Sequence, residues 1–178
     1  MVIVITGPIA SGKSTVAHEL AGVLAGRNVR AEVIDLDVVY ELLAGDGPKS
    51  DPATWALARR EAAIRAKAFL AQSVAVVIAE GSFNELGDRL AFVRHLNTDE
   101  EPLFVTLRVG YDEALRRAQG DPTRGLSRDL AFLRAYFEAA ERVRAAIPTS
   151  DIVIDTERTT ASAAAIAIAG LVGLRASR

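Results

Sequence analysis

The sequence predicts an α/β fold built on a parallel sheet, and three observations predict it. Short β-branched runs alternate with longer segments of helical period, as in successive βαβ units. The first of these runs passes through a glycine-bearing loop straight into an amphipathic helix. The chain has 178 residues, half of them hydrophobic and a quarter charged, which suits one domain around one core. The expected architecture is a three-layer α/β/α sandwich with a five-stranded parallel sheet and a helical lid at about 116–128, with residues 1–178 as a single domain.

Val2–Thr6 is β-branched throughout and reads as a buried central strand. A helix follows from about Lys13 to Ala25, with Val16, Leu20 and Val23 on one face and Gly26 and Asn28 ending it. Ala31–Ile34 is a second short strand that closes on Asp35-Leu36-Asp37, and Val38–Leu43 makes one or two helical turns. Gly45 to Pro52 is the clearest loop. Asp51 stands as N-cap and Pro52 at the first position of a long helix, about Ala53 to Gln72. Val74–Ala79 and Leu103–Val109 are the third and fourth strands. Tyr111–Gln119 is a helix, Gly120–Gly125 a loop, and about Arg128 to Ala146 another helix; these three make the lid arm. Ile152–Ile154 is the fifth strand and Thr160–Leu174 the final helix.

Composition removes several function classes. There is no cysteine, so neither a disulfide framework nor a thiol nucleophile is available. The two histidines, His18 and His95, stand far apart and read as solvated or core residues. A net charge of −2 gives no general attraction to nucleic acid or to an anionic membrane. The longest apolar tract, Ala161 to Leu174, falls short of the roughly 20 residues that span a bilayer. The N-terminus lacks the charged region of a signal peptide, so a cytoplasmic location is expected. The basic residues are mostly arginine, with Lys13, Lys49 and Lys67 the only lysines. A GC-rich genome explains that ratio, and only the placement of individual arginines bears on function. Nothing in the sequence speaks to oligomeric state.

Gly7-Pro8-Ile9-Ala10-Ser11-Gly12-Lys13-Ser14 fits the phosphate-loop pattern G-x-x-x-x-G-K-[ST]. Its glycines let the backbone curl until successive N–H groups point at phosphate oxygens, and the helix N-terminus adds partial positive charge. Gly7, Ala10, Ser11, Gly12, Lys13, Ser14 and Thr15 are the expected nucleotide contacts. Lys13 would reach the β- and γ-phosphates, and the Ser14 hydroxyl would ligate Mg²⁺. Asp35 and Asp37 close the second strand, where ligands of open parallel sheets sit. One of them could hold Mg²⁺ through water and the other accept a proton, or Asp37 could simply cap the turn at Val38.

With these residues the chain resembles the shikimate kinase branch of the nucleoside-monophosphate-kinase-like P-loop kinases, with chloramphenicol phosphotransferase-like enzymes nearby. The resemblance implies ATP and Mg²⁺ as cofactors, Asp35 on the metal side, and Asp37 as base or acceptor-hydroxyl contact. It implies that Arg117 of the Arg116-Arg117 pair stacks on adenine and that Arg124 closes over the phosphates. Arg142, which stands 13 residues before Asp155, is similar in position to an acceptor-binding arginine, and so is Arg59. Asp155-Thr156-Glu157-Arg158 resembles the loop that borders adenine, which places Arg158 there. The pattern departs from the family at Ala79-Glu80-Gly81, where shikimate kinases carry a run of glycines. Only Gly81 is kept. Glu80 then faces either the acceptor or, as a Walker-B-like acid, a metal-bound water. Tyr40, Trp55 and Phe83 either wall the acceptor pocket or belong to the core.

The resulting expectation is an ATP-dependent kinase acting on a small-molecule hydroxyl, with Lys13, Asp37 and Arg124 catalytic. Asp37, Arg59, Glu80, Gly81 and Arg142 would surround the acceptor. The competing expectations are a P-loop nucleoside triphosphatase that drives a partner, and a non-catalytic nucleotide-binding regulator.

Overall fold

The computed structural model describes residues 1–45, 51–122, 124–143 and 149–176, with backbone alone at 141–143 and 174–176. Five strands form one wholly parallel sheet: β1 (Val2–Thr6), β2 (Ala31–Asp35), β3 (Val76–Glu80), β4 (Leu103–Arg108) and β5 (Ile152–Asp155). Their order across the sheet is β2-β3-β1-β4-β5. The helices are α1 (Lys13–Ala25), α2 (Leu36–Ala44), α3 (Pro52–Ala71), α4 (Leu86–Leu96), α5 (Tyr111–Gly120), α6 (Leu130–Val143) and α7 (Ala161–Ala176), with a 3₁₀ turn at Leu126–Arg128.

Every residue of β1 and of β3 is buried, as expected where helices cover both faces of a parallel sheet. The period of two then divides the core. Val2, Val4, Val77 and Ala79 face α2, α3 and α4, and meet Leu36, Val39, the Ala58–Ala66 face, Phe92 and Leu96. Ile3, Ile5, Val76, Ile78, Val105 and Leu107 face α1 and α7, and meet Val16, Leu20, Leu24, Ala165 and Ile168. Small alanines on α3 and α7 let both helices lie close to the sheet. Tyr40 and Phe83 belong to this core, and Tyr40 stacks on Trp55 with ring centroids 4.1 Å apart, so none of the three is needed to explain an acceptor pocket.

The fold matches the sequence expectation in class, strand number and order of elements, and differs in a few boundaries. Strand β3 starts at Val76 rather than Val74, because Ser73 takes a left-handed φ of 61° that turns the chain just before it. Helix α2 starts at Leu36, because Asp35 acts as N-cap: its Oδ1 accepts from Asp37 N at 2.8 Å and Val38 N at 3.3 Å. The capping role considered for Asp37 therefore falls to Asp35. Asp51 caps α3 as expected, accepting from Thr54 N at 2.8 Å, with Pro52 in the first turn. Helix α4, between β3 and β4, lies where the sequence reading above places no element. A capping box between Glu85 and Asp88 starts it, and Asn97, left-handed at φ 47°, ends it. Residues 46–50 of the expected loop, Thr123, and the expected helical residues 144–146 lie outside the described residues. Among the described residues no helix is long and apolar enough to cross a membrane.

Candidate active site

The loop between β1 and α1 is shaped by three unusual backbone positions. Gly7 has φ +155°, and a Cβ there would sit 2.6 Å from the Leu107 carbonyl oxygen and 2.8 Å from Ser11 Oγ. Ala10 (φ 61°) and Gly12 (φ 87°) are both left-handed. Ser11 N closes the curl by donating to the Pro8 carbonyl at 3.2 Å. The loop delivers the chain to α1 with no side chain capping the helix, so its first N–H groups face outward without intrahelical partners. Ser11 Oγ is also buried without a hydrogen-bond partner among the described residues. Unsatisfied N–H groups, a buried hydroxyl and the positive end of a helix together fit a polyphosphate.

Lys13 folds back over this nest, its Nζ donating to Gly7 O at 3.3 Å and Pro8 O at 3.2 Å. Burial draws its pKa down. Glu80 and Asp37 oppose that shift, and the Arg124 guanidinium adds to it. Two cations thus lie within electrostatic reach of each other beside a set of carboxylates, an arrangement that suits a bound anion.

The parallel register brings those carboxylates together. Asp35 of β2 pairs with Glu80 of β3, and Glu80 in turn pairs with Ile5 of β1, just ahead of the phosphate loop. Glu80 is 2% exposed and its carboxyl accepts from the Ser14 hydroxyl. Asp37 lies in the first turn of α2, exposed as a residue, with its carboxyl partly desolvated. Its pKa is raised first by that desolvation and then by Asp35 and Glu41, against the pull of Lys13. Among the described residues no group of three or more carboxylates and histidines could hold a metal alone. Mg²⁺ asks for less, one or two protein oxygens beside waters and phosphate oxygens. Ser14 with Glu80 and the Asp35 carboxylate fits that demand.

Glu80 gives this site a pH signature. Its pKa rises from 4.5 to about 7, chiefly through burial and then through Asp35 and Asp37, against the Ser14 hydrogen bond and Lys13. Between those values the folded chain keeps a proton that the unfolded chain has lost, so stability falls as pH rises through that window. Glu80→Gln cannot ionise, so its melting temperature should decline less than wild type from pH 4.5 to about 7 in metal-free, nucleotide-free protein. Asp37 titrates in the same sense, so some decline persists. Identical slopes for the two proteins would show that Glu80 is not the group involved.

Ala10, Ser11, Gly12, Thr15, Arg117, Arg124, Thr156, Thr159 and Thr160 are among the residues that line a cavity of ≈ 290 Å³ beside the phosphate nest. Arg117 is strongly held there. Its Nε donates to Glu113 at 2.7 Å, one terminal nitrogen to Ala10 O at 3.2 Å and Thr156 Oγ1 at 3.0 Å, and the other to Thr156 O at 2.7 Å. The guanidinium therefore joins α5, the phosphate loop and the turn after β5. Glu113, which also takes a bidentate bond from Arg116, is held down to about 2. Arg124 bonds Asp121 at 3.2 Å and lies near enough to help lower the Lys13 pKa. Arg158 is exposed in the turn after β5 and does not line the cavity. His18 is exposed on α1, its Nδ1 2.7 Å from Ser14 O.

The residues expected around the acceptor depart most from the resemblance. Arg59 is 14% exposed and ion-paired to Asp88 at 3.0 Å, while its Nε donates to Ser82 O at 2.9 Å. Gly81 is required by packing: at φ +150° its open face is filled by Leu36, so a Cβ there would collide with the Leu36 side chain. The Arg142 side chain lies outside the described residues. Three residues near this end were missed. Arg89 is 4% exposed and donates to Phe83 O (3.1 Å), Thr149 O (2.9 Å) and Ser150 Oγ (3.2 Å), fixing the chain after β3. Asn84 Oδ1 accepts from Thr6 Oγ1 at 3.2 Å. The Tyr136 hydroxyl accepts from the Asn84 side chain and the Ile9 backbone amide. None of the three stands in a local motif, and each acts through partners distant in sequence.

The profile of a family described as an AAA domain matches residues 2–99, just over half of the 178 residues. No curated protein sequence matches the chain. Among solved structures, the APS kinase of Mycobacterium tuberculosis, in complex with AMPPNP and APS, is 20% identical. That match covers 97% of this chain and 96% of the other, with a TM-score of 0.71. Shikimate kinase from Acinetobacter baumannii, in complex with shikimate, is 20% identical over 98% of this chain and 93% of its own, with a TM-score of 0.63. A gluconokinase from Sinorhizobium meliloti is 20% identical over 97% and 91%, with a TM-score of 0.65. At these identities the likeness is one of fold, and the fold is that of P-loop kinases.

Proposed function

The chain belongs to the AAA-domain family of P-loop proteins, and from that membership and its site we propose that it is an ATP-dependent kinase acting on a hydroxyl of a small molecule. The observation that carries this reading is an uncapped helix N-terminus with Lys13 folded over the Gly7 and Pro8 carbonyls, Arg124 lining the cavity with Ser11 and Gly12, and the Asp37 carboxylate close enough for Lys13 to act on it. A nucleotide needs the first two parts. An acceptor needs the carboxylate.

ATP lies with its phosphates in the Gly7–Thr15 nest and its base toward the cavity lined by Arg117 and Thr156. Ser14, with Glu80 or Asp35 close by, would hold Mg²⁺, which would supply charge neutralisation for the phosphates. Asp37 accepts the proton of the acceptor hydroxyl. The hydroxyl oxygen forms a bond to the γ-phosphorus, the bond from that phosphorus to the bridging oxygen breaks, and ADP leaves with the electron pair. Lys13 and Arg124 meet the charge that spreads over the transferred group. Arg158, exposed beyond the cavity, borders the base only if the turn after β5 moves inward.

Release of ADP in a coupled assay should depend on an added hydroxyl compound. With a competent acceptor, turnover should rise at least about tenfold over the rate with water alone, because a kinase site works by excluding water. Fast turnover that no acceptor alters would instead indicate a triphosphatase.

A further inference from the structure

Helix α5 holds the phosphate nest from outside at two points. Ala10, buried in the loop, packs with Val109 and with Ala114 of α5. Its carbonyl accepts from Arg117 of the same helix at 3.2 Å. Ala10 is left-handed at φ 61°, a conformation that a residue with a Cβ keeps only under constraint. The carbonyl and the next N–H share one planar trans peptide, so a hold on Ala10 O also fixes the direction of Ser11 N. That N–H closes the curl on Pro8 O at 3.2 Å, and Pro8 O also takes Lys13 Nζ at 3.2 Å. A chain of bonds therefore runs from Arg117 through the crest of the loop to the lysine.

Arg117 can act as such a hold because it is itself anchored. Its Nε donates to Glu113 at 2.7 Å, and its terminal nitrogens donate to Thr156 Oγ1 at 3.0 Å and Thr156 O at 2.7 Å. Thr156 is tied in turn to the end of β4: its N and Oγ1 both donate to Arg108 O, at 2.9 Å and 3.0 Å. Glu157, next along, accepts from Gly110 N at 2.6 Å. All three guanidinium nitrogens are thus engaged. The stacking on adenine that the resemblance implies would use the flat face of the guanidinium. These bonds use its edge, and one of them reaches the loop that takes phosphate.

We propose that Arg117 is a positioning residue for the phosphate nest: it keeps the loop curled before any nucleotide binds, so its loss weakens polyphosphate binding whether or not a base is attached. This rests on the nucleotide-binding half of the kinase reading above and needs no acceptor. Without Arg117, Ala10 is free to leave its left-handed φ. Turning its peptide breaks the Ser11–Pro8 bond and loosens the carbonyl on which Lys13 rests. The nest then has to be ordered at the expense of binding.

The test titrates the full chain calorimetrically with ATP and with inorganic tripolyphosphate, each in the presence of Mg²⁺. Arg117→Gln should weaken both ligands by a similar factor, about tenfold, as expected for the loss of one bond from a charged donor. Arg117→Lys keeps the charge but has no planar fork to join Ala10 to Thr156, so it should lose nearly as much. Ligand-free melting temperatures close to wild type show that the variants fold, and if Arg117→Gln does not fold, Arg117→Lys carries the test with the same two ligands. Weakened ATP binding with tripolyphosphate unaltered would reduce Arg117 to a contact with the base. Full recovery of both affinities in Arg117→Lys would reduce it to a charge. Either result overturns the proposal and leaves the kinase reading standing, whereas a wild-type chain that binds neither ligand overturns both.

Discussion

A Lys13→Met variant should lose about 10²–10³-fold in kcat, the cost of removing one preorganised positive group from the developing charge. The effect should exceed that of any surface arginine, because Lys13 acts at two stages. Before nucleotide binds, its ammonium spans the Gly7 and Pro8 carbonyls and keeps the loop curled. It also offsets Glu80 and Asp37, which otherwise face each other and Asp35 with less compensation. Methionine keeps the aliphatic reach and removes only the charge and its donors. Lys13→Arg should recover little, since a planar fork does not reproduce the compact ammonium that bonds the Gly7 and Pro8 carbonyls. Steady-state ADP release checks kcat, and a melting curve without nucleotide separates lost catalysis from a lost fold.

Asp37→Asn is the second large effect, with kcat expected to fall about 10²–10⁴-fold if this carboxylate takes the acceptor proton. Asparagine preserves size and hydrogen bonding, and Asp37 is not the cap of α2, so the helix should be unharmed. The KM for ATP should hardly change, because the nest is built from backbone groups and Lys13. Asp35 offers the internal comparison. Its Oδ1 is engaged by two α2 amides, a role that asparagine performs about as well as aspartate. Near-normal turnover in Asp37→Asn would remove it from the base role and leave Glu80 as the carboxylate to examine.

What could be read from the sequence was local. The phosphate loop is a run of eight residues whose geometry follows from its own glycines and the helix behind it, and the structure gives it the expected curl. The alternation of β-branched runs with helical segments was enough for the class, because parallel strands buried on both faces have little choice of composition. Side-chain partnership was not legible. Arg117 could be singled out by its spacing, but its bonds to Ala10 and Thr156 span 107 and 39 residues. Arg59 looked like an anion fork until Asp88, 29 positions on, was seen to neutralise it. Arg89 and Tyr136 offered less still: an arginine and a tyrosine on helices look solvated or apolar until the fold brings Ser150 to one and Asn84 to the other. Gly81 was legible as a glycine that matters, but the reason for it, the Leu36 side chain across α2, is a packing contact.

Where the γ-phosphoryl group goes is the most direct measure of what this site does. ATP labelled in that group, incubated with the chain, Mg²⁺ and a panel of hydroxyl compounds, should place the label on an organic product, and Lys13→Met and Asp37→Asn should abolish the transfer. Label recovered only as inorganic phosphate, at a rate the panel does not change, would contradict the assignment of this site as a kinase.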